Sequence, residues 1–571
     1  MATYKENFQI WSDALSGTEY ALELQQLKND EKACSDSFYR DMEFGTAGMR
    51  GIIGIGTNRM NIFTVRRATQ ALANHINDKG EGSRGVAIAY DTRHNSELFA
   101  RETAGVLLKN GIKVYMYETP HSVPQLSFTI LQLQCVSGVV ITASHNPSVY
   151  NGYKVYGEDG GQMPVADSNQ ITANIEAISD SEMFAIRPAP LEGELYHPIG
   201  KELDEIYFAK VEALSLNRDI IQAQSDKLNI VYTPLNGTGL VPVRRVLEDL
   251  GIKKLHIVKE QELPDPDFST VSAPNPENRE CFDLAIELAD RTHANLILAT
   301  DPDSDRLGIA VREKSGEFVI LTGNQIGCLL MDYQLSQLHD LTKNDFVVKS
   351  IVTTDMTDVI AAHYGVELRS VYTGFKFIAE QIKIAEQTGK GNFVFGYEES
   401  YGYLFGKFVR DKDAIQAAMK TVEAACYYAE QGLTLSDALS KIYEKYGWYS
   451  EIVISNTLYG QEGIAKIMNA VETLRKNIPA KIGDFAVRAV RDYKTQTRTA
   501  FPGGNVTEIP MDSMNVLYFE LEGGRFIVRP SGTEPKLKSY LSAWADNEQT
   551  AASQLEQLQT AANALLEDLL K

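Results

Sequence analysis

Apolar and polar positions follow one rhythm over most of the chain. Val86-Ala-Ile-Ala-Tyr90 is a short apolar run, followed by a helical stretch and then Gly111-Ile-Lys-Val-Tyr-Met-Tyr117. The same order returns at Leu228-Asn-Ile-Val-Tyr232, Val241–Leu250 and Gly251-Ile-Lys-Lys-Leu-His-Ile257. It returns again at Phe346-Val-Val-Lys-Ser-Ile351, Thr357–Tyr364 and Gly365-Val-Glu-Leu-Arg-Ser-Val371. Each unit predicts strand, helix and strand, with the glycine ending the helix and letting the chain turn back. Such a crossover implies parallel pairing of right-handed connection. Three units predict three similar α/β domains in tandem, the alternative being three βαβ units of one larger sheet.

The rhythm changes from about residue 450. Tyr449–Thr457, Phe485–Tyr493, Val516–Leu521 and Arg525–Pro530 read as short strands, and Gly463–Asn477 and Thr550–Leu570 as helices. Leu555, Leu558, Leu565, Leu566 and Leu569 lie near one face of the second helix, as packing on a sheet requires. Residues 1–35 have helical spacing and are expected to form a surface helix or two. The expected fold class is α/β: three tandem similar α/β domains (1–200, 201–315 and 316–448) and a C-terminal α+β domain (449–571) around a central cleft.

Composition narrows the partners. The net charge of −21 over 571 residues repels nucleic acid and anionic membrane, so neither is expected to bind. A site for an anionic substrate must then be built locally from Arg, Lys and backbone N–H groups. Five scattered cysteines without a CxxC predict reduced, mostly buried thiols and a cytoplasmic protein. The N-terminus lacks a basic stretch followed by an apolar run, and no segment nears the ~18 apolar residues of a membrane span.

The chemistry centres on Thr142-Ala143-Ser144-His145-Asn146-Pro147. It follows Val136–Ile141, a predicted buried strand, and Asn-Pro forces a turn. Ser144 therefore stands at a strand end, where α/β sheets place reactive groups. Asn151-Gly152-Tyr153-Lys154 reads as a second turn that returns an ammonium beside Ser144. The pattern points to a phosphoryl group carried on Ser144. A serine hydrolase is the rival reading. It lacks a GxSxG elbow, and His145, adjacent in sequence, is expected to point its ring away from Ser144.

Asp301-Pro-Asp303-Ser-Asp305-Arg306 lies between two predicted strands. Its three carboxylates at alternate positions can converge on one hard divalent cation, and all-oxygen ligands favour Mg²⁺. An EF-hand is excluded because Arg306 stands where that loop needs Gly and Arg312 where it needs Glu. A solvated acidic turn is the plain alternative. Thr373-Gly374-Phe375-Lys376 reads either as a phosphate contact or as a surface lysine. In Gly396-Tyr-Glu398-Glu-Ser400-Tyr-Gly402, paired acids and a hydroxyl suit sugar hydroxyls, and an ordinary polar loop is the alternative. Arg410-Asp-Lys-Asp413 reads as a salt-bridged loop. Arg529-Pro-Ser531-Gly532-Thr533 makes a compact oxyanion nest, and no Walker A motif is present. Phe44–Gly51 carries three glycines and Arg50, which suits close approach to an anion or an ordinary turn.

Together these loops resemble the α-D-phosphohexomutase family, in order and across nearly the whole chain; Tyr90-Asp-Thr-Arg93 and Thr233-Pro-Leu-Asn-Gly237 support the match. The Gly-Tyr-Glu-Glu-Ser and Arg-Asp-Lys-Asp forms look most like its phosphoglucomutase and phosphopentomutase branch. The resemblance implies that phosphorylated Ser144 interconverts glucose 1-phosphate and glucose 6-phosphate, with glucose 1,6-bisphosphate as intermediate and activator. Mg²⁺ would be held by Asp301, Asp303, Asp305 and Ser144. Lys154, Arg50 and His145 would complete the catalytic set. Arg306, Gly374, Lys376, Glu398, Ser400, Arg529, Ser531, Gly532 and Thr533 would bind the sugar phosphate. Some relatives place a histidine soon after the sugar loop; this chain has none after His363, which leaves Lys154 and Lys407 as candidate bases. Phosphomannomutase or phosphopentomutase chemistry by the same route, a Mg²⁺-dependent sugar phosphatase and a catalytically idle sugar-phosphate sensor are the alternatives. A monomer or dimer is expected.

Overall fold

The runs VAIAY, SGVVI and LILAT are buried along their whole length. They lack alternation because they are inner strands covered on both faces. The structure, a computed structural model, describes residues 3–45, 48–458, 460–531 and 536–571, the side chains of 460 and 461 excepted. Four sheets follow in chain order. The first contains β1 Gly48–Ile52, β2 Val86–Tyr90, β3 Val114–Tyr117, β4 Ser137–Ile141, β5 Tyr150–Gly157 and β6 Tyr196–Ile199, in the order β1-β5-β4-β2-β3-β6. The second contains β7 Ile230–Thr233, β8 Leu255–Ile257, β9 Leu296–Thr300, β10 Leu307–Arg312 and β11 Phe318–Ile320, in the order β11-β10-β9-β7-β8. The third contains β12 Asp345–Ser350, β13 Glu367–Val371, β14 Asn392–Glu398 and β15 Gly402–Leu404, in the order β13-β12-β14-β15.

One motif recurs in all three. A strand pairs in parallel with the two strands that follow it, and a further strand returns antiparallel to the last of these. Gly111, Gly251 and Gly365 end the first crossover helices with φ of +74°, +96° and +70°, a conformation that costs glycine nothing. The sequence repeat is thus a structural repeat, three similar α/β layers rather than one large sheet.

Two segments differ from their sequence reading. Asn151–Lys154 is not a turn but part of β5, and Gly48–Gly51 lies in β1 rather than in a loop; the two strands pair antiparallel. The glycines that suggested turns serve close backbone approach. A Cβ at Gly152 would lie 2.5 Å from the Thr142 carbonyl oxygen. Thr46 and Ala47 lie outside the described residues. The N-terminus forms three helices, Tyr4–Ala14, Ala21–Lys28 and Glu31–Phe38, and buries Trp11 and Phe38 completely.

The fourth sheet is antiparallel. It comprises β16 Trp448–Thr457, β17 Lys481–Ile482, β18 Phe485–Asp492, β19 Thr497–Ala500, β20 Asn505–Glu508, β21 Leu517–Leu521, β22 Gly524–Pro530 and β23 Lys536–Ala545. Pattern reading missed the polar β19–β20 hairpin and β23. Helix Glu548–Leu570 buries Leu558 and Leu566 in the core of this sheet, with Leu555, Leu565 and Leu569 packed beside them.

The chain separates into two compact units, Met1–Ser350 with Tyr364–Ser436, and Ile351–His363 with Asp437–Lys571. Within the second, buried Arg525 donates to the carbonyls of Val352 and Thr353 and pairs with Asp355 and Glu451 at 3.0 and 3.2 Å. All five cysteines are buried free thiols. Burial pushes those of Cys135, Cys281 and Cys426 up to about 12. Among the described residues, no helix is long and apolar enough to cross a membrane.

Candidate active site

The three repeats present the same connection, the link from the last parallel strand to the antiparallel one. In the first sheet it joins β4 to β5 and bears Ser144; in the second it joins β9 to β10 and bears the acidic triad; in the third it joins β14 to β15 and bears Ser400. Each link holds a non-glycine residue at positive φ: Ser144 at +54°, Ser304 at +54° and Tyr401 at +67°. Such a conformation costs roughly 1–2 kcal/mol per residue, so the surrounding contacts must impose it.

Ser144 is buried, and its Oγ donates to Asp301 Oδ2 at 2.8 Å. Its N–H donates to Thr142 Oγ1 at 2.8 Å, and Thr142 Oγ1 in turn donates to Asp303 Oδ2 at 3.3 Å. His145 corrects the sequence expectation. Its Nδ1 lies 3.2 Å from Ser144 Oγ, because the left-handed turn at Ser144 brings neighbouring side chains to one side. Burial, with Arg306 and Arg50 nearby, holds the His145 pKa well below the usual imidazole range.

Asp301, Asp303 and Asp305 are buried and offer carboxylate oxygens within 4.8 Å of one another. Asp301 Oδ1 accepts the N–H groups of Asp305 and Arg306 at 3.1 and 3.0 Å, which fixes its orientation. Burial and then the charges of Asp303 and Asp305 drive the Asp301 pKa well up. Burial also works against ionised Asp303, but Lys154 overcomes it and holds that carboxyl well below its usual range. Lys154 Nζ donates to Asp303 Oδ2 at 2.9 Å. Asp303 Oδ1 and Asp305 Oδ1 are buried and accept no hydrogen bond from the described residues. Buried anionic oxygens left open in this way, on three hard ligands, fit a divalent cation.

The backbone of this loop is pinned from every side. Pro302 O accepts from Thr238 N at 2.9 Å and Thr238 Oγ1 at 2.8 Å, Asp303 O from Val123 N at 3.0 Å, and Ser304 O from Ala414 N at 3.1 Å. Gly237 passes so close that a Cβ there would lie 2.4 Å from Pro302 Cα. That contact explains why the Thr233–Gly237 stretch ends in glycine.

Lys412 was not singled out as a site residue from the sequence, since Arg-Asp-Lys-Asp reads as a salt-bridged loop, and salt-bridged it is. Its ammonium is buried, 3.0 Å from Asp305 Oδ2 and 3.0 Å from Asp411 Oδ1. Burial opposes its charge, but Asp305, Asp411 and Glu398 more than compensate and raise its pKa. Tyr156 OH donates to Asp411 Oδ2 at 2.8 Å, so β5 supports the pair from below. Arg93 is a second such residue; it sits beneath the Ser144 loop with a fully buried side chain.

Glu398 ends β14 and accepts the Gly374 N–H at 2.6 Å, which brings together two loops read separately in the sequence. Burial, then the neighbouring Glu399 charge, raises Glu398 to about 7. Lys376 sits in the first turn of helix Phe375–Thr388, half-buried, and burial lowers its pKa. Ser400 is half-buried in the next turn. Arg306 is largely buried and pairs with Glu277 at 2.6 Å. Arg50 lies exposed on β1, its NH1 2.9 Å from Asn146 Oδ1. Lys407 is exposed. Arg529 ends β22 in the second unit, and Ser531 N donates to Lys536 O at 2.8 Å; Gly532 and Thr533 lie outside the described residues.

The three repeated α/β layers thus bring their hairpins to one polar site. Four family models match in order: Phosphoglucomutase/phosphomannomutase, alpha/beta/alpha domain I at residues 41–182, domain II at 205–316, domain III at 322–446 and the C-terminal domain at 483–558. The chain belongs to this phosphoglucomutase/phosphomannomutase family of α-D-phosphohexomutases, and it is an isomerase that acts by intramolecular phosphoryl transfer. A curated phosphoglucomutase of Staphylococcus aureus (strain MSSA476) is 37% identical over 507 residues, spanning 89% of this chain and 90% of that protein. In fold, the chain is similar to a phosphoglucomutase/phosphomannomutase family protein of Burkholderia thailandensis, with a TM-score of 0.66, 19% identity and 92% and 97% of the two chains covered. It is also similar to the Paramecium phosphoprotein parafusin, a phosphoglucomutase in open form, with a TM-score of 0.67, 16% identity and 92% and 96% covered.

Proposed function

We propose that this phosphohexomutase interconverts glucose 1-phosphate and glucose 6-phosphate through phosphorylated Ser144, with glucose 1,6-bisphosphate as the intermediate. The observation that carries the reading is the buried Ser144 Oγ held 2.8 Å from Asp301 within the acidic triad. The 37% identity to proteins named phosphoglucomutase supports glucose as the sugar. Mannose and pentose phosphates would react by the same route.

The residues present fit Mg²⁺ at Asp301, Asp303 and Asp305; when bound, the ion offsets negative charge that develops on the transferring group. The sugar hydroxyl attacks phosphorus, the bond to Ser144 Oγ breaks, and Oγ takes up a proton. His145 Nδ1, 3.2 Å away, is placed to exchange that proton. Lys154, tied to Asp303, and Arg306, tied to Glu277, supply positive charge with little freedom to move, which is the form that stabilises a transition state at least reorganisation. Glu398 and Ser400 accept and share hydroxyl hydrogen bonds of the sugar. Arg50 and Lys376 meet phosphate oxygens, and Arg529, Ser531, Gly532 and Thr533 grip the phosphate that is not reacting. Lys154, held as a cation by Asp303, and exposed Lys407 are the candidate bases for the sugar hydroxyl proton, and either would first have to lose its own proton to receive it.

Intact mass and peptide mapping before and after glucose 1-phosphate and Mg²⁺, with glucose 6-phosphate assayed in the same tube, test the proposal. Phosphate on the Ser144 peptide together with product supports it. Free inorganic phosphate formed in step with substrate loss would instead indicate a phosphatase. No phosphate on Ser144, even with glucose 1,6-bisphosphate as donor, would overturn the mechanism.

A further inference from the structure

Arg93 directs both terminal nitrogens of its guanidinium at the nucleophile loop. NH2 donates to the carbonyl of Ser144 at 2.6 Å and to that of Asn146. NH1 donates to the carbonyls of Pro147 and Tyr150 at 2.9 and 3.2 Å. Nε faces Asp91 Oδ2 at 3.2 Å, and both side chains are wholly buried. Asp91 is itself fixed, since its Oδ1 accepts from Ser96 Oγ at 2.6 Å and from Arg93 N at 2.9 Å. The Phe268 ring, from the second repeat, lies 4.8 Å from the guanidinium carbon. The arc from Ser144 to Tyr150 is therefore wrapped around one cation that holds it through backbone carbonyls.

The arc has reason to need a clasp. Ser144 holds φ of +54° without being glycine, and the Asn146-Pro147 turn follows at once. Four carbonyls of one loop pointing inward would repel one another and stay unsatisfied without a fork of donors. A lysine has three donors on one nitrogen and cannot reach them all.

We infer that Arg93 is a positioning residue for phosphoryl transfer, holding the Ser144 loop so that Oγ keeps its line to the acidic triad. The inference rests on the reading of Ser144 as the phosphoryl carrier. A loop freed to move by about 1 Å would lose on the order of 10²-fold in turnover while sugar-phosphate binding, made elsewhere, is kept.

The test compares wild type with Arg93→Lys and Arg93→Ala, using kcat and KM for glucose 1-phosphate, the rate of Ser144 phosphorylation by glucose 1,6-bisphosphate read by intact mass, and Tm. Arg93→Lys is expected to lower kcat and the phosphorylation rate together by about 10²-fold, with KM within about threefold. Added methylguanidinium, but not methylammonium, is expected to restore part of the kcat of Arg93→Ala. If wild type takes up no phosphate on Ser144, the underlying reading fails. If wild type does and Arg93→Lys keeps its rate, or loses activity only in proportion to the fraction unfolded, the inference on Arg93 is overturned, even where Arg93→Ala does not fold.

Discussion

Lys412 and Asp305 form a buried ion pair at 3.0 Å that joins the loop before helix Ala414–Glu430 to the acidic triad. The same ammonium pairs with Asp411 at 3.0 Å. Replacing Lys412 by methionine keeps the length and removes the charge, which leaves two buried carboxylates uncompensated. Breaking one partner of a buried pair costs about 3–5 kcal/mol. Urea unfolding of Lys412→Met is expected to show a loss in that range, and the double variant Lys412→Met with Asp411→Asn should recover part of it. A loss below about 1 kcal/mol would mean that water reaches this pair and screens it.

Ser144 carries the nucleophile and an unfavourable backbone angle at once. Both Ser144→Ala and Ser144→Gly are expected to abolish turnover. Their stabilities should differ, because glycine accepts φ of +54° freely and alanine does not. The glycine variant is expected to be the more stable by about 1 kcal/mol in thermal or urea unfolding.

The acidic triad predicts a stability that depends on divalent cation. Mg²⁺ at about 100 times its Kd should stabilise the fold by about 2.7 kcal/mol, read as a rise in Tm, and chelation should remove both the shift and the activity. Asp303→Asn is expected to abolish the shift. Gly237→Ala should weaken it from a distance, since its Cβ would press on Pro302 Cα from 2.4 Å and tilt the loop that carries the ligands. An unchanged Tm on adding Mg²⁺ to wild type would refute the assignment of the triad.

Glu398 gives a pH dependence with a definite sign. Its carboxyl titrates at about 7 in the native chain, raised by burial and then by Glu399, against about 4.3 when unfolded. Between those values the native state holds a proton that the unfolded state has released. Its contribution to stability is therefore present below about pH 4, falls as pH rises to about 7, and is flat above. Glu398→Gln should remove this slope, gaining on wild type by up to about 3 kcal/mol between pH 4 and pH 8. For wild type, KM for the sugar phosphate should rise below pH 7, as the protonated carboxyl loses acceptor capacity. A KM that does not change between pH 6 and pH 8 would remove Glu398 from the sugar contacts.

What could be read from the chain and what could not follows from physical causes. The inner strands were legible because burial on both faces demands unbroken apolar runs, as at Ile230–Thr233 and Leu296–Thr300. The acidic cluster was legible because carboxylates at alternate positions of one short loop between strands converge, and the structure brings them within 4.8 Å of one another. Strand β5 was misread because Asn151-Gly152 signals a turn locally, while the tertiary need was for a residue without Cβ beside Thr142 O. Lys412 was illegible because Arg-Asp-Lys-Asp is a common surface pattern; only packing against Asp305 takes it out of water. The expectation for His145 failed for a similar reason, since the left-handed angle at Ser144 cannot be deduced from neighbouring residue types.

The five buried cysteines have an experimental consequence. A thiol whose pKa is raised by burial presents almost no thiolate at neutral pH, and alkylating reagents react with the thiolate. Native protein should therefore take up maleimide dyes slowly at Cys135, Cys281 and Cys426, and burial shields the remaining two cysteines from the reagent. One cysteine introduced on an exposed residue of each compact unit would then label cleanly without first stripping the natural thiols. The chain offers a ready background for following, by energy transfer between two dyes, whether sugar phosphate changes the separation of those units in solution.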